Sequence, residues 1–209
     1  MLKRIVGAVI LSGLLGCPAT VPPEVLQKYQ SKTLYTCCNI HHEKNDINDA
    51  NYYVGTLLPL GTPAQVQGLG NRSATFSAGG TTLTLTQSYG TAQESFEVYL
   101  DKILVSEDPK AKVATYPQAV QDAIRDARVE KGMTRDQVIL SLGYPPTHKT
   151  ASLNDRLWTY WYNRYVTFQV AFDEAGKVSN VVGGSAPTTN VPIPDAPAPR
   201  ATPATKKRR

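Results

Sequence analysis

The chain has little of what catalysis usually draws on. It has three histidines, three cysteines, two methionines and two tryptophans, and aromatic residues make up 8% of its 209 positions. No nucleophile elbow, phosphate-cradling glycine loop or zincin helix is present, and the glycines of "GLGNRS" fall in the wrong frame for a dinucleotide fingerprint. With His41, His42 and His148 as the whole histidine complement, no Ser-His-Asp constellation can be assigned. The expectation is therefore a protein that is not an enzyme and carries no cofactor. No internal repeat stands out. A long apolar run is also missing: the longest, Ile5 to Leu15, falls short of the ~20 residues that span a bilayer as a helix.

An excess of charge on the folded part is lacking too. The whole chain carries +5, which invites a nucleic-acid reading until the charge is located. Lys3 and Arg4 contribute +2 and residues 184–209 contribute +4, leaving −1 for residues 17–183. A nearly neutral body lacks the basic footprint that phosphate binding requires, so no nucleic-acid partner is expected.

What is present begins with the N-terminus. Lys3 and Arg4 form a positive segment, Ile5 to Leu15 an apolar core of signal-peptide length, and "LLGC" ends at Cys17. That ending resembles the lipobox of bacterial lipoproteins, which implies a signal peptide over 1–16 and a diacylated, N-acylated Cys17 bearing palmitate-type chains. Three acyl chains would hold the protein stably on a membrane, where a single chain holds only marginally. Pro18 follows the cysteine in place of the aspartate that retains many such lipoproteins at the inner membrane. The resemblance therefore implies an outer-membrane address facing the periplasm.

Residues 17–32 contain three prolines after Cys17 and read as a lipidated tether favouring extended backbone. Residues 33–112 read as a β-rich module. The runs "LYTCC", "YYVGTLL", "AQVQGL", "SATFSA", "TLTLTQSY" and "ESFEVYLDKILV" are β-prone and separated by turns such as "PLGTP" and "SAGG". Leu83 and Leu85 alternate with threonines at the period of a half-buried strand. A small antiparallel barrel or sandwich is expected, the preferred form being a barrel of the small Src-homology type.

Residues 113–183 change character. "PQAVQDAIRDARVEKG" places Val120, Ala123, Ile124 and Ala127 at helical spacing between Pro117 and Gly132. "MTRDQVILSLGYPP" predicts a second helix with a capping box at Thr134 and Gln137, a hydrophobic staple of Met133 and Val138, and a stop at Gly143 before Pro145 and Pro146. "RLWTYWYN", "YVTFQVAFD" and "KVSNVV" then form three strands joined by hairpins. The fold class is α+β: a β-rich module followed by two helices and a three-stranded antiparallel sheet. Residues 184–209, rich in Pro, Ala and Thr and ending in "KKRR", are expected to be a disordered basic tail. Such a tail is either simply solvated or touches anionic headgroups or an acidic partner.

This C-terminal part resembles the SmpA/OmlA domain of BamE-like outer-membrane lipoproteins. The resemblance rests on Gly132, Met133, Thr134, Val138, Leu142, Gly143, Pro145, Trp158, Tyr160, Phe172, Asp173, Gly176, Lys177 and Val178, and covers about 70 residues. It implies an α+β scaffold that works without catalysis through protein and lipid contacts in membrane assembly or envelope integrity. Its partners would be the membrane, through the lipid anchor, and envelope proteins, the outer-membrane assembly machine among them.

Two groups of side chains ask for a role. Trp158, Tyr160, Trp161 and Tyr162 cluster on one strand, either as core or as a partner-binding surface, where aromatic anchors contribute most. "TCCNIHH" puts Cys37, Cys38, His41 and His42 within seven positions. If the stretch is a strand, neighbouring side chains point to opposite faces and residues four apart are roughly 13 Å distant, so no two of these could share an ion; only a loop conformation would allow a metal site, and no metal is assigned. Cys37 and Cys38 are left as structural thiols, as a disulfide or as exchange-active thiols. Bonding them to each other is awkward, because adjacent Cα atoms lie about 3.8 Å apart where disulfides prefer about 4.4 to 6.8 Å. Beside the scaffold reading stand two others: an envelope module binding cell-wall glycan or peptide, and a redox or metal protein built on Cys37 and Cys38. His148, inside "PPTHKT", is expected to be an exposed loop residue.

Overall fold

The computed structural model describes residues 21–89 and 93–183. The signal segment, the lipidation expected at Cys17 and the basic tail lie outside them. The extended tether expected over 17–32 is corrected from Pro23 onward, where the chain forms helix α1 (Pro23–Gln30). Pro23 falls in the first turn, where its missing N–H costs no hydrogen bond, so proline opens this helix where it would break another. Tyr29 is buried and its hydroxyl donates to Asp101 (2.7 Å).

Strands β1 (Leu34–Thr36), β2 (Ile40–His42), β3 (Asp46–Asn48), β4 (Thr56–Leu58), β5 (Pro63–Gly70), β6 (Ser73–Ala78) and β7 (Thr81–Thr86) follow. Next come helix α2 (Phe96–Ile103) and the short strand β8 (Leu104–Val105). Six of the strands form one sheet in the order β3-β7-β6-β5-β1-β8, while β2 and β4 pair separately. β5, β6 and β7 make an antiparallel meander in which Phe76 lies opposite both Val66 and Leu83. Gly79 and Gly80, at φ +58° and +79°, supply the two positive-φ positions that a two-residue hairpin turn demands.

The expected β-rich module is present as a half-barrel: its end strands β3 and β8 do not pair with each other, and β3 joins β7 in parallel within an otherwise antiparallel sheet. The segment read as "ESFEVYLDKILV" is mostly helix: the Ser95 side chain caps α2 by accepting from Val98 N–H, and Phe96, Leu100 and Ile103 point into the sheet. Together with Leu34, Val66, Phe76, Leu83 and Leu85 they form the first core.

The second half consists of α3 (Lys110–Val113), α4 (Gln118–Arg125), α5 (Arg135–Leu142), β9 (Leu157–Asn163), β10 (Val166–Phe172) and β11 (Val178–Val182). The three strands form an antiparallel sheet with β10 in the centre. Both capping-box bonds of α5 are present, and Gly143 ends the helix at φ +91°. α4 ends earlier than Gly132. Ala127 takes φ +51°, its N–H bonds to Ile124 O (3.0 Å), and Arg128 N–H reaches Ala123 O (2.8 Å). That pair of bonds is a Schellman closure, with alanine where glycine is usual. Val120, Ile124, Met133, Val138, Trp158, Tyr160, Phe168, Val170 and Phe172 make the second core. The two cores interlock, since Leu60 from the first half enters the second core and Tyr144 packs on the first.

Candidate functional site: an open sheet face above a buried junction

In β9 and β10 the period-2 alternation divides the side chains between two faces. Trp158, Tyr160, Phe168, Val170 and Phe172 turn inward toward α4 and α5 and are fully or almost fully buried. Trp158 and Tyr160 are thereby removed from the expected partner surface, because the helices already occupy their face. Tyr160 donates its hydroxyl to Gly143 O (3.0 Å), and burial raises its pKa well above the ordinary tyrosine value. Tyr162 lies on the rim of the same core, its ring 5.0 Å from that of Tyr53.

Trp161 alone of the four lies on the other face, half-buried, in line with the half-buried Thr159 and the exposed Leu157. Across the strands stand half-buried Gln169 and Ala171 and exposed Val182. Gln169 Nε2 donates to Thr159 Oγ1 (3.2 Å). Lys149 Nζ lies 4.7 Å from the centroid of one Trp161 ring, and Trp161 Nε1–H donates to His148 Nε2 (3.3 Å). His148 is therefore half-buried and bonded, which corrects the expected exposed loop residue. Accepting at Nε2 requires the neutral ring, and burial, the largest cause, lowers its pKa. Gln93 Nε2 approaches His148 Nδ1 (3.5 Å) and donates to Asp49 Oδ2 (2.9 Å). Asp49 in turn accepts from Ser88 N–H (2.9 Å). The open face is thus a mixed apolar and polar platform centred on a tryptophan whose ring is held by His148 and flanked by Lys149.

Beneath it lies "TCCNIHH". The chain bends between β1 and β2, and Cys37 and Cys38 are joined by a disulfide to each other, their Cα atoms 3.7 Å apart. Both are buried. His41 is buried against Tyr53, ring centroids 5.4 Å apart, whereas His42 faces outward with Nδ1–H donating to Lys44 O (2.6 Å). Burial pushes the His41 pKa down to about 4. Among the described residues no group of three or more His, Cys, Asp or Glu is placed to hold a metal ion.

The residue that organises this stretch is Asn39, which composition and spacing did not single out. Its backbone N–H donates to Leu140 O (3.2 Å), its side-chain amide to Ser141 O (3.2 Å) and Ile124 O, and its Oδ1 accepts from Leu60 N–H (3.0 Å). One buried amide thus ties the loop of the first half to the C-terminal ends of α4 and α5. Cys37 N–H donates to Ile103 O (2.9 Å), Tyr52 N–H to Trp161 O (3.1 Å) and Tyr52 Oη to Tyr144 O (2.9 Å). The only sequence signal for Asn39 is a polar residue inside an otherwise buried run.

Residues 123–181 match the family model described as the outer membrane protein assembly factor BamE domain. This segment is a BamE-like domain. The match starts inside α4 and ends in β11, so it takes in α5, all of the three-stranded sheet but Val182, and the open face around Trp161. No curated protein and no solved structure matches the chain. The half-barrel, the disulfide and Asn39 lie before the BamE-like domain, and Asn39 docks onto it. Among the described residues no helix is long and apolar enough to cross a membrane.

Proposed function

We propose that this protein is a lipid-anchored scaffold of the bacterial outer membrane that faces the periplasm and supports outer-membrane protein assembly through protein contacts, without catalysis. The observation that carries the proposal is the BamE-domain match over residues 123–181. The lipobox ending at Cys17 supplies the anchor, and the open face around Trp161 supplies a surface of the mixed aromatic and polar kind that protein interfaces favour. The half-barrel holds the BamE-like domain through Asn39 and Tyr52.

The test uses the full chain, tagged at its C-terminus and expressed with its own signal. Growth on radiolabelled palmitate is expected to label the mature protein, and Cys17→Ser to abolish the label. Affinity capture from detergent-solubilised membranes is expected to recover components of the outer-membrane assembly machinery. An unlabelled mature protein would end the anchoring claim, and capture without those components would end the assembly claim.

A further inference from the structure

A groove of about 350 Å³ opens between the first turn of α1, the β5–β6 turn and the start of α2. Its apolar lining is Val21, Pro22, Val25, Leu69, Phe96 and Leu100. Of the polar residues around it, Ser95 caps α2, Glu97 pairs with Lys28 (3.0 Å) and Tyr29 donates to Asp101, which leaves Asn71 at the β5–β6 turn. The groove therefore offers an occupant a mostly apolar surface. Val98, 47% exposed, sits on the same end of α2.

We propose that this groove seats one acyl chain of the lipid on Cys17, an inference that rests on the lipidation proposed above. Two of the groove's own wall residues, Val21 and Pro22, begin the described chain, and Cys17 stands four positions before Val21. Four residues span at most about 14 Å, so a lipid on Cys17 has the groove within reach. The volume falls at the low end of the ~300–1,000 Å³ typical of small-molecule sites, which suits one chain and excludes three. The remaining two chains stay in the bilayer, and two are enough for stable anchoring. Seating the third against α1 and α2 would hold the half-barrel at one orientation to the membrane instead of leaving it on a swivel.

The experiment uses full-length protein made in cells fed a diazirine-bearing palmitate analogue, then purified, irradiated and digested. Mass spectrometry reads the N-terminal peptide and every crosslink. The expected result is an acylated Cys17 whose chain is joined to the peptides holding Val25, Leu69 or Phe96, with no added phospholipid mass. Leu69→Trp on β5 and Val25→Trp on α1, each checked for an unchanged melting temperature, fill the groove from two different elements. Either should lower that crosslink by about tenfold, the equivalent of losing about two buried methylene contacts. Acylated Cys17 with no groove crosslink overturns this proposal and leaves the anchor standing. An adduct of phospholipid mass in the groove overturns it in favour of a membrane lipid. Cys17 without acyl groups overturns both.

Discussion

Asn39 shows how much a single buried amide can hold. Removing its side chain leaves Leu60 N–H and the Ser141 carbonyl buried without that partner, while Ile124 O keeps its bond from Ala127 N–H, and each unsatisfied group costs about 1–3 kcal/mol. Asn39→Ala is therefore expected to destabilise the protein by about 3 kcal/mol in urea unfolding, and a loss below about 0.5 kcal/mol would refute its role as a clamp. His41 makes stability depend on pH. Its folded pKa of about 4 lies below the ordinary histidine value of 6.5 because burial favours the neutral ring. Between those values the unfolded chain binds a proton that the folded one refuses, so stability falls as pH drops from about 6.5 to about 4 and levels off below. The shift of the half-buried His148 has the same sign. Melting temperature followed over this range should flatten in His41→Gln, and an unchanged slope would exclude His41 as its source.

At the scale of elements, what was legible was local. The capping box of α5, the Gly79–Gly80 turn and the alternation of β9 and β10 each depend on residues a few positions apart, and all are present. Thr134→Ala should cost about 1 kcal/mol while Thr134→Ser restores most of it, as measured by thermal unfolding. Helices α1 and α2 run against local composition: prolines suggest extension, and Phe96, Val98, Tyr99 and Leu100 suggest a strand. The N-cap Ser95 and the tolerance of a first turn for proline decide both cases. The parallel pairing of β3 with β7 left no local trace, since its partners are about forty positions apart. Of the candidate site, alternation showed that Trp158 and Trp161 lie on opposite faces. Which face the helices cover is a matter of tertiary packing.

At the scale of the whole molecule the two tryptophans make a paired test. Trp158 fills the second core, so Trp158→Ala should cost about 3–5 kcal/mol. Trp161 stands on the open face, so Trp161→Ala should stay within about 1 kcal/mol of the parent in urea unfolding. It should nevertheless reduce recovery of assembly components in affinity capture. Equal recovery by parent and Trp161→Ala would move the partner surface elsewhere on the BamE-like domain.

The junction also sets a schedule for folding. Asn39 finds its partners 85 and 102 positions downstream, at Ile124 and Ser141. A chain emerging from its N-terminus can complete the β5-β6-β7 meander early, but the loop after β1 keeps open donors until α5 has appeared. The half-barrel therefore reaches its final form late, when most of the chain is available, and a fragment ending before Ser141 would carry an unfinished, adhesive seam.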